Sequence, residues 1–296
     1  MAELISIIGL GRTGMPAAKA YLAAGFKVFG HDVRKEVTDE FVKAGGTIQS
    51  SPAACARQGG FILIFVLDDR QLLQVIEGDQ GILASIARGT TIICMSTVSR
   101  PLIETVSAKC KSAGAAFVDC PFTGGPARIA SRSLTLIAAA PDDLLQKVKP
   151  VLEVVGKIVH AGSAPGMGQA IKHCNQLFVG ATHGAVMEVI TLARKLSLDP
   201  ALVCSVVASG IAGSDYFRML SESVLHKKPS PGSLGQMAKD MAIVRSTLED
   251  AHVNAIVASA AADYFSESMR QGMQGREGAD LIEIVEQWPA KKVADQ

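Results

Sequence analysis

The stretch LISIIGLGRTGMPAAKAYLAAGFKVFGHD (residues 4–32) carries the strongest structural signal in the first half of this 296-residue chain. A wholly apolar run, typical of a buried strand, precedes three glycines at Gly9, Gly11 and Gly14. A helical run follows the third glycine, and a second strand-like run ends at Asp32. Strand, glycine-rich turn, helix and strand-terminal carboxylate in this order predict a βαβ unit that binds a dinucleotide.

Each of these residues has its own predicted task. Gly9 allows a tight turn, Gly11 lets the pyrophosphate approach the backbone, and Gly14 allows close packing of helix on strand. The helix N-terminus offers free N–H groups and the positive end of its dipole to phosphate. Asp32 is expected to accept hydrogen bonds from the adenine ribose and to repel a 2′-phosphate, which favours NAD. The basic residue Arg34 follows at once and leaves NADP open, and a glycine-rich turn that binds nothing is the alternative.

The remaining contacts predicted for the cofactor in this half lie at or just after the ends of the first three strand-like runs. The full set for these segments is Gly9, Leu10, Gly11, Arg12, Thr13, Gly14, Met15, Asp32, Val33, Arg34, Val66 and Leu67.

The strand signal continues to residue 162 and then stops. Runs such as FILIFVL (61–67) and TTIICMS (90–96) are apolar on both faces, as buried parallel strands are, and amphipathic helical runs lie between them. This alternation predicts an α/β Rossmann-type domain over residues 1–163. Residues 164–296 are expected to form an all-helical domain that opens with a long helix from about 168 to 196.

Composition and charge exclude several classes of protein. The 29 basic and 28 acidic residues nearly cancel, so we expect neither a nucleic-acid partner nor a charged membrane surface. Six scattered cysteines without a CxxC pair indicate reduced thiols, with no disulfide frame and no metal site. The longest apolar run, residues 177–193, is interrupted by His183 and Glu188 and is not expected to span a bilayer. The N-terminus lacks a signal-peptide pattern, so we expect a soluble, cytoplasmic protein.

Two loops at predicted strand ends carry polar groups suited to a small anion. One contains Ser96 and Thr97, and the other contains Thr123, Gly124 and Gly125. Open parallel sheets bind ligands at the carboxyl ends of their strands, and a hydroxyl with unobstructed backbone N–H groups suits a carboxylate. The alternative for the second loop is an ordinary Gly-Gly turn.

Four blocks of this sequence, taken together, resemble the β-hydroxyacid dehydrogenases. They are GLGRTG…HD (9–32), FVDCPFTGG (117–125), GMGQAIKHCNQ (166–176) and MAKDMAIV (237–244). The resemblance covers nearly the whole chain and includes 3-hydroxyisobutyrate, tartronate semialdehyde and threonate enzymes. It implies a Rossmann-type domain joined by a long helix to an all-α domain, and a homodimer or homotetramer built through the helical domain.

The resemblance also implies roles for individual residues. Lys172 matches the catalytic lysine of the family, and Thr123-Gly124-Gly125 matches its substrate-carboxylate loop. Lys239 matches a second lysine near substrate and nicotinamide, and Thr97 matches a polar residue at the nicotinamide.

This chain departs from the family pattern at its substrate side. The family usually has Asn four residues after the lysine, where this chain has Gln176, with Asn175 at the preceding position. The loop usually continues Gly-Gly-x-x-Gly-Ala and here reads GGPARIA (124–130). Ser96, Asn175, Gln176 and Lys239 complete the predicted substrate contacts.

A lysine at the start of the long helix is suited to proton transfer. Lys172 and Gln176 are four residues apart and share one helix face, with Asn175 beside them. An alcohol that loses hydride must also lose its hydroxyl proton, and a placed general base accelerates such a step by about 10²–10⁴-fold. Burial or a nearby cation makes a lysine a better base near neutral pH, and Lys239 is the candidate neighbour. The alternative is a lysine that extends from a domain edge to water.

The predicted function is oxidoreduction between NAD and a small β-hydroxy or 2-hydroxy carboxylate, which yields the oxo acid or semialdehyde. Two alternatives stay open. One is imine reduction on the same fold, against which Lys172 argues because such enzymes typically carry another residue there. The other is a dehydrogenase-like fold kept as a binding or scaffold module.

Overall fold

The protein, described from a computed structural model over residues 4–230 and 232–289, forms two compact units. They comprise Met1–Lys172 and His173–Gln296. The first contains a nine-stranded sheet flanked by helices. In the second, the regular elements of the described residues are all helices. The predicted order of an α/β Rossmann-type domain followed by an all-helical domain is confirmed. The predicted boundary at residue 163 stays a prediction, and the division between the two units falls within a helix.

The sheet is parallel over most of its width. Its strands are β1 Leu4–Ile8, β2 Lys27–His31, β3 Thr47–Ile48, β4 Phe61–Ile64, β5 Thr91–Cys94, β6 Ala116–Asp119, β7 Phe122–Thr123, β8 Leu134–Ala139 and β9 Gly156–Gly162. They lie in the order β3-β2-β1-β4-β5-β6-β8-β7, with β9 beside β8. Strand β8 runs antiparallel to β6 and β7, and the other described pairs are parallel. The carboxyl ends of β1, β2, β4, β5 and β6 therefore lie along one edge of the sheet.

The helices alternate with strands in the first unit and follow one another in the second. They are α1 Gly14–Ala23, α2 Lys35–Lys43, α3 Pro52–Ala56, α4 Asp69–Glu77, α5 Arg100–Ser112, α6 Asp142–Leu152, α7 Met167–Lys195, α8 Pro200–Ser209, α9 Asp215–His226, α10 Leu234–Asp250, α11 Ile256–Arg270 and α12 Leu281–Glu286. Sequence analysis did not identify α4, which begins after an N-cap at Asp68 whose side chain accepts from the Gln71 N–H at 2.8 Å.

The apolar runs of the sequence extend beyond the strands they predict. The run at 61–67 gives a strand that ends at Ile64, and the run at 90–96 gives one that ends at Cys94. Both strands are wholly buried, in agreement with the pattern of two apolar faces. The residues after each strand leave the sheet as loops, and these loops carry the polar groups described below.

Helix α7 would be long and apolar enough to cross a membrane by length and composition alone. Core helices pass the same test, and 44% of its apolar window is buried inside the protein. Its side chains Val186, Met187 and Ile190 belong to the apolar core of the second unit. These contacts favour a core helix, and the predicted cytoplasmic location stays a prediction.

A buried histidine joins three segments of the second unit. Nε2 of His183 donates to the carbonyl oxygen of Gly278 at 2.9 Å, so in the neutral ring Nδ1 accepts from the Tyr216 hydroxyl, also at 2.9 Å. The Phe265 ring packs edge-on against the imidazole at 5.1 Å. Burial lowers the pKa of His183 to about 4, because the charged ring would lose its hydration.

We expect this histidine to make the protein less stable in acid. The unfolded chain binds a proton at His183 near pH 6.5, whereas the folded chain binds it near pH 4, so the free energy of unfolding falls as the pH drops through this interval. The full effect is about 3 kcal/mol. Chemical denaturation of the protein and of His183→Gln at several pH values measures it. The variant should show a smaller loss on acidification, and the exposed-site control His252→Asn should behave as the unmodified protein. Equal losses in His183→Gln and the unmodified protein would exclude this role.

Candidate functional site

The glycine-rich turn after β1 is closed by contacts that a side chain would prevent. Gly9 has φ +90°, and a Cβ there would lie 2.3 Å from the carbonyl oxygen of Phe65. A Cβ on Gly14 would lie 1.9 Å from the carbonyl oxygen of Gly9, so the start of α1 rests directly on the turn. These contacts correspond to the tight turn and close packing predicted for the two positions.

The N-terminal turn of α1 is open to an anion. Within the described part of the chain, its N-cap Thr13 makes no side-chain cap hydrogen bond and its first turn contains no acidic residue. The N–H groups and the positive dipole end thus keep their capacity for phosphate. Leu10 and Met15 are buried beneath the turn, whereas Arg12 is exposed. The glycine cradle, the uncapped helix and the strand-terminal Asp32 together fit a dinucleotide.

Each oxygen of the Asp32 carboxylate accepts two hydrogen bonds from the protein itself. Oδ2 accepts from the Leu10 N–H at 2.8 Å and from Nη2 of Arg34 at 2.8 Å. Oδ1 accepts from the N–H of Arg34 at 3.0 Å and from its Nε at 2.9 Å. Burial opposes the charge on Asp32, but the hydrogen bonds from Arg34 and Leu10 outweigh it and lower the pKa of the carboxyl group.

Arg34 is therefore fixed beside the predicted phosphate loop. Its Nη2 would lie 3.3 Å from a Cβ on Gly11, and about half of its side chain is exposed. The pairing neutralises the negative charge with which Asp32 would repel a 2′-phosphate. The preference for NAD over NADP stays a prediction, and Val33 between the two is 91% exposed.

The loop after β5 is hydrogen-bonded to the end of β4 before Thr97 and to α4 after it. The Ser96 hydroxyl accepts from the Val66 N–H at 2.9 Å, which ties this loop to the end of β4. Both the backbone N–H and the hydroxyl of Ser99 donate to Asp69 in α4. Ser96 is buried, and its observed contacts hold the loop in place. Its substrate role stays a prediction. Thr97 is partly exposed.

The second predicted loop follows β7, a two-residue strand paired with β8. Gly124 has φ +121° and Gly125 has φ +74°, conformations that favour glycine at both positions. A Cβ on Gly124 would lie 2.9 Å from Cδ of Arg128, so the stem of this exposed arginine covers the turn. Thr123, half-buried, pairs with Thr135 across the strands. A hydroxyl, a glycine backbone and a nearby cation are suited to a carboxylate.

Lys172 lies in the second turn of α7 and is 7% exposed, so it does not extend into bulk water. The preceding glycines explain how the helix starts. Gly166 has φ +90°, and a Cβ on Gly168 would lie 2.7 Å from the carbonyl oxygen of Ile137 and 2.9 Å from Oδ2 of Asp119. The helix therefore begins in direct contact with the sheet of the first unit.

A buried carboxylate, missed by the sequence analysis, caps this helix. Oδ2 of Asp119, at the end of β6, accepts from the N–H groups of Gly166 at 3.0 Å and Gln169 at 3.1 Å. Burial raises the pKa of Asp119, and the hydrogen bonds from Gln169 and the backbone of Gly166 oppose that shift. The two glycines of the block GMG (166–168) were the available signal, because they permit the close approach.

The side chain of Gln169 extends the same network to the β5 loop. Its Nε2 donates to Oδ1 of Asp119 at 2.9 Å and to the carbonyl oxygen of Ser96 at 3.0 Å, and its Oε1 accepts from the Val98 N–H at 3.1 Å. Gln169 is wholly buried. Sequence analysis missed it too, since a glutamine in a helical run carries no signal of burial.

Two predicted residues of the second unit, Gln176 and Lys239, contact another buried carboxylate. Oδ2 of Asp240 accepts from Nε2 of Gln176 at 2.6 Å, and its Oδ1 lies 2.5 Å from Nζ of Lys239. Asp240 and Gln176 are buried, and Asn175 is half-buried. The longer amide at position 176 thus holds Asp240, and the predicted substrate roles of Asn175, Gln176 and Lys239 stay predictions. Among the described residues, no cluster of three or more His, Cys, Asp or Glu could hold a metal ion.

Both units are similar to known protein families. Residues 4–163 match the family model described as the NAD binding domain of 6-phosphogluconate dehydrogenase, and residues 166–286 match that described as NAD-binding of NADP-dependent 3-hydroxyisobutyrate dehydrogenase. The chain is 28% identical to an L-threonate dehydrogenase of Cupriavidus necator, over 96% of both chains. It is 31% identical to an uncharacterized oxidoreductase of Synechocystis, over 83% of this chain and 86% of the other. A mitochondrial 3-hydroxyisobutyrate dehydrogenase of Mus musculus is 26% identical, over 95% and 86% of the two chains.

Solved structures share the fold. A 3-hydroxyisobutyrate dehydrogenase from Salmonella typhimurium superimposes with a TM-score of 0.88 at 23% identity, covering 95% of this chain and 99% of the other. Psf3 in complex with NADP+ and 2-OPP gives the same TM-score at 22% identity, over 95% and 99% of the two chains. An imine reductase variant from Myxococcus stipitatus in complex with NAD+ gives 0.65 at 17% identity, over 96% and 100%.

We expect Arg34 to control discrimination between the two dinucleotides. In Arg34→Ala the charge of Asp32 is no longer neutralised, so the Kd for NADP+ should rise about tenfold or more while that for NAD+ changes little. Calorimetric titration of both cofactors measures this, with Lys35→Ala as the control for the loss of a neighbouring charge. An equal change for both cofactors in Arg34→Ala would contradict the assignment.

Proposed function

The chain belongs to the β-hydroxyacid dehydrogenase family, and from that premise we propose that it oxidises a small β-hydroxy or 2-hydroxy carboxylate. The product is the oxo acid or semialdehyde, with NAD as the preferred cofactor. The predicted family, the oxidoreductase class and the NAD(P) cofactor are confirmed by the two family models and the relatives. The observation that carries the finer proposal is the burial of Lys172 in a helical turn anchored to the sheet.

The cofactor is proposed to lie along the edge formed by the carboxyl ends of β1, β2, β4 and β5. Gly9, Gly11 and Gly14 leave room for the pyrophosphate, and the N-terminus of α1 supplies its N–H groups. When bound, NAD(P) supplies the hydride acceptor for the alcohol carbon. Thr97 is partly exposed, and its neighbours Ser96 and Val98 are both held by hydrogen bonds to Gln169. It is the proposed contact on the nicotinamide side.

The substrate carboxylate is proposed to bind the loop Thr123-Gly124-Gly125. Backbone N–H groups on two glycines and a threonine hydroxyl suit its oxygens, and Arg128 lies against the same turn. Threonate and 3-hydroxyisobutyrate, the acids in the names of the relatives, belong to this substrate class. The altered sequence after the two glycines is a reason to test a panel of related acids.

Lys172 is proposed as the general acid/base. In the oxidation direction its amine accepts the hydroxyl proton as the carbon loses hydride, and in reduction it returns that proton. Burial of an amine favours its uncharged form, which is the form that accepts a proton. A lysine held by packing also keeps one geometry, which lowers the entropic cost of proton transfer.

We expect Lys172→Met to lower kcat about 10²–10⁴-fold while the Kd for NAD+ stays unchanged, because the proton acceptor is lost and the dinucleotide site is intact. NADH formation with a panel of small hydroxy acids, including threonate and 3-hydroxyisobutyrate, measures activity. Lys195→Ala, at the exposed end of the same helix, is the matched control. Full turnover in Lys172→Met would eliminate the proposed role.

The same panel separates the two alternatives. Reduction of a cyclic imine with no turnover of any hydroxy acid would identify an imine reductase. Binding of NAD+ with no turnover of either class would identify a binding module.

The helical unit is proposed to associate with a second copy of the chain, as the family resemblance implies. Phe178 on α7 is 69% exposed, Leu192 is exposed on the same helix face, and Leu196 is exposed directly after the end of the helix. Leu202 and Val206 on α8 are exposed as well. Apolar side chains exposed along one helix face are suited to a protein interface.

We expect the protein to form a dimer or tetramer, and Phe178→Glu to weaken it because a charge would be buried without a partner. Light scattering coupled to size-exclusion chromatography measures the mass. Val159→Glu, an exposed apolar site on β9, is the control. A monomeric unmodified protein would overturn this proposal.

A further inference from the structure

We propose that Gln169 and Asp119 are positioning residues that hold the β5 loop (residues 96–99) and the first turns of α7 in one fixed arrangement. The β5 loop carries Thr97, and the first turns of α7 carry Lys172. The inference rests on the proposed function for the tasks of Thr97 and Lys172. All the contacts of this network lie within the first unit.

Asp119 supplies the helix cap that the local sequence lacks. Position 166 is glycine and has no side chain to accept from the first turn of α7. Asp119 lies at the end of β6, and its carboxylate accepts hydrogen bonds from the N–H groups of Gly166 and Gln169. A negative group at a helix N-terminus is favoured by the free N–H groups and by the dipole. The direction in which α7 leaves the sheet is therefore fixed by β6.

Gln169 uses its whole amide group to join α7 to the β5 loop. One N–H of Nε2 bonds to Asp119 and the other to the carbonyl oxygen of Ser96, while Oε1 accepts from the Val98 N–H. These two backbone contacts lie immediately before and after Thr97. A rotation of the amide would break all three bonds in a buried site, where each lost partner is costly.

The spacing along α7 connects this anchor to the proposed base. Gln169 and Lys172 are three residues apart, so their side chains leave the same face of the helix. Movement of the Gln169 turn would shift Lys172 and release the backbone around Thr97 together. A displacement of about 1 Å at a reacting group can lower the rate by about 10²-fold. The network thus ties the nicotinamide contact to the proton carrier.

Cofactor binding provides a test that does not depend on turnover. ADP-ribose lacks the nicotinamide and should bind through the glycine turn and the N-terminus of α1, without contact to Thr97. In Gln169→Met, which keeps the side-chain volume and removes all three bonds, the Kd for NAD+ should rise about tenfold while that for ADP-ribose stays within about twofold. Asp119→Asn should shift the same ratio in the same direction. Calorimetric titration gives both constants for each variant.

A matched control separates positioning from general stability. Ser51 caps α3 in the same unit, with its hydroxyl accepting from the Ala54 N–H at 3.1 Å. Ser51→Ala should lower Tm but leave the ratio of the two Kd values unchanged. An unchanged ratio in both Gln169→Met and Asp119→Asn, or an equal change in Ser51→Ala, would overturn the proposal.

Kinetics distinguish this inference from the proposed role of Lys172. With a hydroxy acid that the panel identifies, Gln169→Met should lower kcat about 10- to 100-fold with a smaller change in its KM. If Lys172→Met retains turnover, the proposed base is wrong, yet the shift in the ratio of Kd values still supports the anchoring of Thr97. If the ratio is unchanged while Lys172→Met is inactive, the anchor is wrong and the base stands.

Hydrogen exchange in the unmodified protein keeps the inference testable if both variants fail to fold. The amides of Val98, Gly166 and Gln169 donate in the network and should exchange slowly, at the level of the core strand β5. Rapid exchange at these amides would show that the network does not form and would overturn the proposal.

Discussion

The structure depends on one buried carboxylate that accepts hydrogen bonds from the first amides of a helix distant in sequence. Asp119 ends a strand of the sheet, and Gly166 and Gln169 begin α7. A carboxylate removed from water is costly unless it is paired and hydrogen-bonded. Here two backbone N–H groups, a side-chain amide and a helix dipole offset that cost. The same contacts determine where α7 begins, and therefore where Lys172 lies.

Two other carboxylates each hold a basic side chain. Asp32 holds the guanidinium of Arg34 beside the glycine turn, and in the second unit Asp240 holds the ammonium of Lys239. In each case an acidic residue close in sequence fixes a basic side chain that is proposed to meet cofactor or substrate. A cation held in this way keeps its donors in place, whereas a free lysine or arginine would sample many rotamers.

Sequence alone could predict features that depend on local pattern. The turn at Gly9 and Gly14 was predictable because it requires residues without Cβ at fixed spacing, and strand β4 was predictable from its apolar run. The two-residue strand β7, which pairs antiparallel with β8, is too short to leave a pattern. The short helix α4 went unrecognised although a cap precedes it.

The polar network was not predictable for a different reason. Asp119 follows an apolar run and Gln169 lies in a helical one, and nothing in either segment indicates that they meet across 50 residues. Only the glycines at 166 and 168 pointed to a close approach. The pairing of Gln176 with Asp240 depends in the same way on contact between distant helices.

The most direct test of the account is the position of the Lys172 amine in a crystal structure with bound NAD+ and the best hydroxy acid of the panel. In that structure Nζ should lie within hydrogen-bond reach of the substrate hydroxyl, at about 2.6–3.2 Å. A hydroxyl held by a different acid or base, with Nζ of Lys172 out of reach, would contradict it.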